Sequence, residues 1–317
     1  MSVMHRVLPF IGIFLAAGCS SLYEDVSDCG LNNKENTTLV FKYTDAKGNN
    51  TFPSEISSVD AYVFDEAKKF VEHKRLESSE LTQFAGWKLH LSPGDYYVVC
   101  WGNVGSNSRT NDLVKGSTTF DECYIQIPAS VTSTGNPLYY APSKMHPQAR
   151  SSALQTRAID PSMQSWGFHV EAQQENVKEM DFVCAHRTIN VYIIGYPGSS
   201  IQPATVTGTQ LCAEYDFYYA TRNVFRNFTQ QTQPVTTTEG AALLATFFVG
   251  FSEVTEGMNF ILRQGDEGVI LETVNLKKFL EEYPEAYGNT IDILIRFTEL
   301  GMTVTVPGWG DVPVTPK

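Results

Sequence analysis

The side chains of this chain most able to do chemistry are its six cysteines and six histidines. The cysteines stand at 19, 29, 100, 123, 184 and 212 without a close Cys-x-x-Cys pair, and no histidine (5, 73, 90, 146, 169, 186) lies near one at metal-ligand spacing. Neither a zinc site nor another metal or cofactor is therefore expected. There is no Gly-x-Ser-x-Gly elbow, phosphate loop, Gly-x-Gly-x-x-Gly fingerprint or His-Glu-x-x-His helix, motifs whose spacing places a nucleophile, a phosphate or a metal. No enzymatic function is expected. Asp65-Glu66 and Glu281-Glu282 are adjacent carboxylates for which a hairpin turn and a solvated helix face suffice. His186 beside Arg187 is expected to be structural or interfacial rather than a ligand.

One thiol stands apart. Arg6 precedes an apolar run of 11 residues, Val7 to Ala17, and Gly18 then leads into Cys19. The run is shorter than the ~20 residues that span a bilayer and suits the apolar region of a secretory signal. Leu15-Ala16-Ala17-Gly18-Cys19 resembles a bacterial lipoprotein signal, with Leu four rather than three positions before the Cys. The expectation is cleavage between Gly18 and Cys19 and lipidation of the Cys19 thiol, against an ordinary signal peptide with an incidental cysteine. Acyl chains at ~0.8 kcal/mol per buried methylene would hold such a protein on a membrane almost permanently. No later stretch is apolar for 18 residues, so the lipid would be the membrane attachment.

Residues 1–18 are thus assigned to the signal and the polar segment 19–36 to a lipidated tether. The remainder has the length of two ordinary domains, and a hydrophobic share of 42% with 12% aromatics supplies packed cores. Lys and Arg number 23 against 35 Asp and Glu, a net charge of −12; a polyanion would be repelled, so nucleic acid is not an expected partner. Five cysteines remain beyond Cys19, and an odd count leaves at least one free or paired between chains. Cys100 and Cys184 sit in apolar strands as small buried hydrophobes; a Cys100 to Cys123 bridge is a hypothesis that the sequence does not decide.

The patterning is mostly of period two. Strands are predicted at Thr38–Tyr43, Val59–Phe64, Phe70–Leu76, Trp87–Leu91 and Tyr96–Trp101, the last apolar on both faces and so central. From Gly105 to Ala158 long loops carry two short strands, Tyr124–Ile127 and Leu138–Tyr140. A second β-rich block is placed after a boundary within Gln155 to Trp166, giving domains 37–160 and 161–317. It holds strands at Asp181–Cys184 and Ile189–Ile194, an apolar run at Ala241–Phe251, a hairpin about Gly265–Gly268, and closing strands at Ile291–Phe297 and Met302–Val306. One short helix is predicted at Leu276–Tyr283, capped by Asn275 and ended by Pro284. The fold class is all-β, two β-sandwich domains.

Four strings then carry a resemblance. Val59-Asp60-Ala61-Tyr62-Val63-Phe64-Asp65-Glu66, Leu91 to Asn103, Phe182 to Gly195 and Val304-Thr305-Val306-Pro307-Gly308-Trp309-Gly310 resemble, in order, hallmark segments of the fimbrial anchor subunit family of Bacteroidales type V pili. With the lipid box the resemblance spans nearly the whole chain. It implies transthyretin-like sandwiches, a place at the base of a fimbria in the outer membrane, and a stalk subunit joined by β-strand addition at an open sheet edge. The family's stalk subunits lose a leader after an Arg or Lys; Arg157 lies in a loop and reads as ordinary linker, so this chain is expected to keep its own first strand, as a terminal subunit would. The alternative is a surface glycan-binding lipoprotein, which would need exposed aromatics among Trp87, Trp101, Trp166 and Trp309.

Overall fold

The structure is a computed structural model and describes residues 35–45, 47–52, 54–142, 167–197, 203–265 and 268–307. Gly18, Cys19, most of the tether, Arg157, Trp166 and Trp309 lie outside the described residues. The first half is built from β1 (Thr37–Tyr43), β2 (Ser58–Phe64), β3 (Phe70–Glu77), α1 (Ser78–Gln83), β4 (Gly86–Leu89) and β5 (Gly94–Gly102). Then come β6 (Arg109–Thr110), β7 (Tyr124–Gln126), β8 (Tyr139–Pro142), β9 (Gly167–Val170) and β10 (Asn176–Cys184). Strand order is β3-β2-β5-β8-β10-β1-β4, with β9 also on β5. Strand β10 turns the sheet over: Asn176–Phe182 run parallel to β1, while Val183 and Cys184 pair with Tyr140 and Tyr139 of β8. The two layers so formed enclose a core that includes Leu39, Phe41, Val98, Cys100, Met180 and Phe182.

Period-two alternation explains β1, where Leu39 and Phe41 are buried and Val40 and Lys42 lie on the other face. Each such burial contributes about 1.5–3 kcal/mol. In β5 the alternation has two apolar sets: Val98 and Cys100 enter the first core, whereas Val99 and Trp101 enter a second one. At its end, Gly102 is required because a Cβ there would lie 2.9 Å from Ile56 Cγ2. Asn103 follows in the left-handed region at φ 60. Its Oδ1 accepts from Ser57 N at 2.8 Å and its Nδ2 donates to Glu55 O at 3.0 Å.

The second half contains β11 (Arg187–Ile194), β12 (Ala204–Cys212), β13 (Glu214–Asp216), β14 (Phe225–Gln231), β15 (Gln233–Thr237) and β16 (Gly240–Val249). It continues with β17 (Asn259–Gln264), β18 (Ile270–Asn275), α2 (Leu276–Glu282), β19 (Thr290–Thr298) and β20 (Gly301–Thr305). Sheets β15-β16-β11-β19-β20 and β14-β12-β17-β18 sandwich a core that includes Val191, Val206, Phe247, Phe260 and Ile293. The predicted cap is present: Asn275 Oδ1 accepts from Lys278 N at 3.1 Å, and Leu276 and Phe279 are buried.

The structure differs from the sequence reading in the placement of two strands and in one cysteine pair, and it adds one short helix. Strands β9 and β10 fall within 161–317 yet belong to the first sheet, because β9 pairs with β5 and β10 with β1 and β8; sheet membership passes to the second half only at β11. Helix α1 adds a short helix in the first half. Cys100 and Cys123 are both buried free thiols, one facing the first core and the other the aromatic one, so no bridge joins them.

Candidate interaction site

Strand β1 is the residue set on which strand exchange would turn. It is bonded on both sides, parallel to β10 from Thr37↔Asn176 to Tyr43↔Phe182 and antiparallel to β4 from Thr37↔Leu89 to Val40↔Gly86. An ion pair from Lys42 to Glu179 crosses the β1–β10 pairing. The first sheet therefore contains its own first strand, with its ladder groups used on both sides.

Free ladder groups lie at the outer strands, and most of these carry a guard. Edge strand β3 is charged through Glu72, Lys74, Arg75 and Glu77. His73 and Arg75 hold the buried Asp60 carboxylate at 2.8 and 2.7 Å. Edge strand β14 is crossed by the 127–134 segment: Thr229 N donates to Thr132 O at 2.8 Å and Arg226 Nη1 to Ile127 O at 2.6 Å. Edge strand β15 carries Pro234, which lacks a donor, and β18 is broken by a bulge against β17. Edge strand β20, Gly-Met-Thr-Val-Thr, has no charge, proline or bulge. The Tyr283 hydroxyl donates to its Val304 O at 3.4 Å.

Between the halves lies an aromatic core that includes Tyr62, Phe64, Trp101, Phe120, Tyr140 and Phe217. Strand β7 of the first half pairs with β13 of the second, Tyr140 OH donates to Phe217 O at 2.8 Å, and Thr134 Oγ1 donates to Phe248 O at 2.8 Å. Aromatic burial makes this seam a packed joint rather than a hinge, although Trp101 Nε1 and the Tyr215 hydroxyl are buried in it without a hydrogen-bond partner. The cavity on it, lined by Ser108, Asn136, His186, Cys212 and Tyr215 among others, has a volume of ≈ 20 Å³. That is room for about one water molecule, far below the several hundred Å³ of a small-molecule site.

His186 and Arg187 both make contacts within the chain. His186 Nδ1 lies 2.9 Å from Leu138 O, and burial pushes its imidazole pKa down. Arg187 Nε donates to Gly288 O at 3.0 Å, and its guanidinium lies 4.8 Å from the centroid of the Tyr287 ring. Burial raises the thiol pKa at Cys100, Cys184 and Cys212, and at Cys123 it does so to about 12; none of them is poised as a nucleophile. Trp87 and Trp101 are buried, which removes two of the four proposed sugar platforms. No group of three or more potential metal ligands occurs among the described residues, nor is any helix there long and apolar enough to cross a membrane. What sequence reasoning missed was the guarding of the edges, since it depends on segments remote in the chain.

Two sandwiches joined by a packed seam, with the first strand built in, define an all-β protein. The chain belongs to the family of fimbrillin-A associated anchor proteins Mfa1 and Mfa2, whose model matches residues 26–313. That family associates with fimbrial subunits at the cell envelope. No protein of curated function matches the chain by sequence. Solved structures share the fold: the fimbrial anchor protein Mfa2 from Porphyromonas gingivalis has a TM-score of 0.56 at 13% identity, covering 84% of this chain and 94% of its own. A proposed adhesin from Bacteroides ovatus has 0.60 at 16%, covering 88% and 95%. A proposed polysaccharide-binding protein from Bacteroides thetaiotaomicron has 0.60 at 12%, covering 89% and 99%.

Proposed function

We propose that this chain is an outer-membrane lipoprotein, cleaved between Gly18 and Cys19 and lipidated on Cys19, that anchors a fimbria at the cell surface and helps to assemble it. Residues 19–36 are the tether, the first sandwich runs to Cys184 and the second begins at Arg187. The stalk subunit joins by β-strand addition. The observation that supports this most is β1, integral and paired on both sides: a subunit whose first sheet is already complete has no vacant groove there and suits the end of a polymer. Protein of this kind is structural, and its partners are a stalk subunit and the membrane.

The test is a deletion strain. Cells lacking the chain should release fimbriae into the medium while stalk subunits are still made. Complementation with Cys19→Ala should restore a folded body without retention. Fimbriae that stay on deletion cells would refute the reading, and binding of purified protein to glycans but to no stalk subunit would favour the glycan-binding alternative.

A further inference from the structure

The strands give each half a direction. Strand β1 begins at the end of the first sandwich remote from the seam, where Asn36 Nδ2 donates to Leu91 O at 2.8 Å, and ends at Tyr43, 5.0 Å from the Tyr139 ring that packs in turn on His186. The chain leading to Cys19 therefore leaves from that remote end. The seventeen residues from Cys19 to Glu35 reach at most about 60 Å. In the second half β11 and β19 run parallel away from the seam. Antiparallel pairing then brings the β17–β18 tip and the β19–β20 tip to the far end of that sandwich, since Ala204 pairs with Gln264 and Ile194 with Arg296. Strand β18 leads into α2, and Tyr283 just beyond it reaches β20. The two tips belong to the two facing layers of that sandwich, about 10 Å apart.

Each of these two tips carries large apolar side chains in the open, close in sequence to Glu299 at one and to Asp266 and Glu267 at the other. Leu300 is 101% exposed and Val269 70%, the two highest values among large apolar side chains of the described residues, and Ile270, next to Val269, is 49% exposed. Glu239 and Arg296 at the same end neutralise each other in an ion pair. Exposed apolar clusters mark interaction surfaces. Leu300 also sits in the turn that opens β20, an edge without charge, proline or bulge.

We propose that this far end of the second sandwich, with Val269, Ile270 and Leu300 standing out of it, is the docking surface for the neighbouring fimbrial subunit, a protein partner with an apolar surface of its own; the inference rests on the anchor reading above. The position of the tether selects this occupant. A lipid surface would be met at the end where the tether leaves. A second copy docked end to end would send its tether away from the membrane that holds the first.

The experiment uses cells that make the full chain with Val269→Asp, Ile270→Asp and Leu300→Asp together, and the milder Leu300→Ser alone, beside a deletion strain and a Phe84→Asp, Val114→Asp, Phe225→Asp control. The outer-membrane amount and melting temperature should match wild type, because the changed side chains of the tips are exposed. Fimbriae in the medium should rise on the order of tenfold with the triple change, and by less with Leu300→Ser, while the control retains them. If the deletion sheds fimbriae and both tip variants retain them, docking lies elsewhere and only this inference falls. If the deletion also retains them, the anchor reading falls and takes the inference with it. Loss of binding to phospholipid vesicles, or of a dimer in light scattering, with fimbrial retention unchanged, would assign the end to lipid or to a second copy and overturn the proposal.

Discussion

An aspartate at either Val98 or Val99 should cost the protein several kcal/mol, although these neighbours face opposite ways. Val98 is 1% exposed in the first core and Val99 0% exposed in the aromatic one. Removing a buried valine side chain forfeits about 1.5–2 kcal/mol, and an unpaired polar group in its place costs about 1–3 kcal/mol more. Together this makes ~3–5 kcal/mol, or a Tm lower by roughly 10 °C for a body of this size. The carboxyl would sit in apolar surroundings that raise its folded pKa above that of the unfolded chain. Linkage then fixes the sign: the deficit is smallest below the unfolded pKa of about 4 and grows as pH rises toward the folded value. Calorimetry of each variant at several pH values checks both parts. Wild-type melting in either variant would show that β5 has a solvated face, and a deficit that shrank with rising pH would refute the burial argument.

Asn103→Ala should lose about 1–3 kcal/mol, because alanine tolerates φ 60 poorly and leaves Ser57 N without its acceptor; chemical denaturation measures it. Alkylation of the folded protein should spare Cys100, Cys123 and Cys212, and unfolding without reductant should then release all three as free thiols; a cross-linked Cys100–Cys123 peptide would contradict this. Because burial lowers the folded pKa of His186, its contribution is complete above the unfolded value of about 6.5 and is lost as pH falls through the folded one. His186→Gln should flatten that part of the stability profile.

The strands were legible where one face is dry and the other wet, as in β1, and where both faces are apolar, as in β5. The helix α2 was legible because its cap, its apolar spacing and Pro284 agree. Sheet membership was not. Strand β10 looks like the opening of a second domain, since Asp181 to Ile194 is almost continuously strand-forming; only the pairing with β1, more than a hundred residues earlier, assigns it to the first sheet. The pairing of β7 with β13 is equally non-local. Of the candidate site, the edge guards were not legible, because they come from contacts such as Thr229 to Thr132 that no pattern in either segment announces.

The direction of β1 against β10 bears on how an anchor would carry load. The chain enters the first sheet at the start of β1, and β10 leaves the same sheet at its other end, through Ala185 into β11. A pull between the tether and the far end of the second sandwich therefore slides two parallel strands along each other. The seven registered pairs from Thr37↔Asn176 to Tyr43↔Phe182 are then loaded together. Were the second point of attachment at the start of β10, the same pairs would open one after another. Single-molecule pulling distinguishes the two cases with one handle at residue 19 and the other at Leu300→Cys or at Val177→Cys, both on exposed side chains. Release of β1 should require the larger force with the handle at residue 300. Equal forces, or a larger one at residue 177, would show that the parallel pairing does not bear the load.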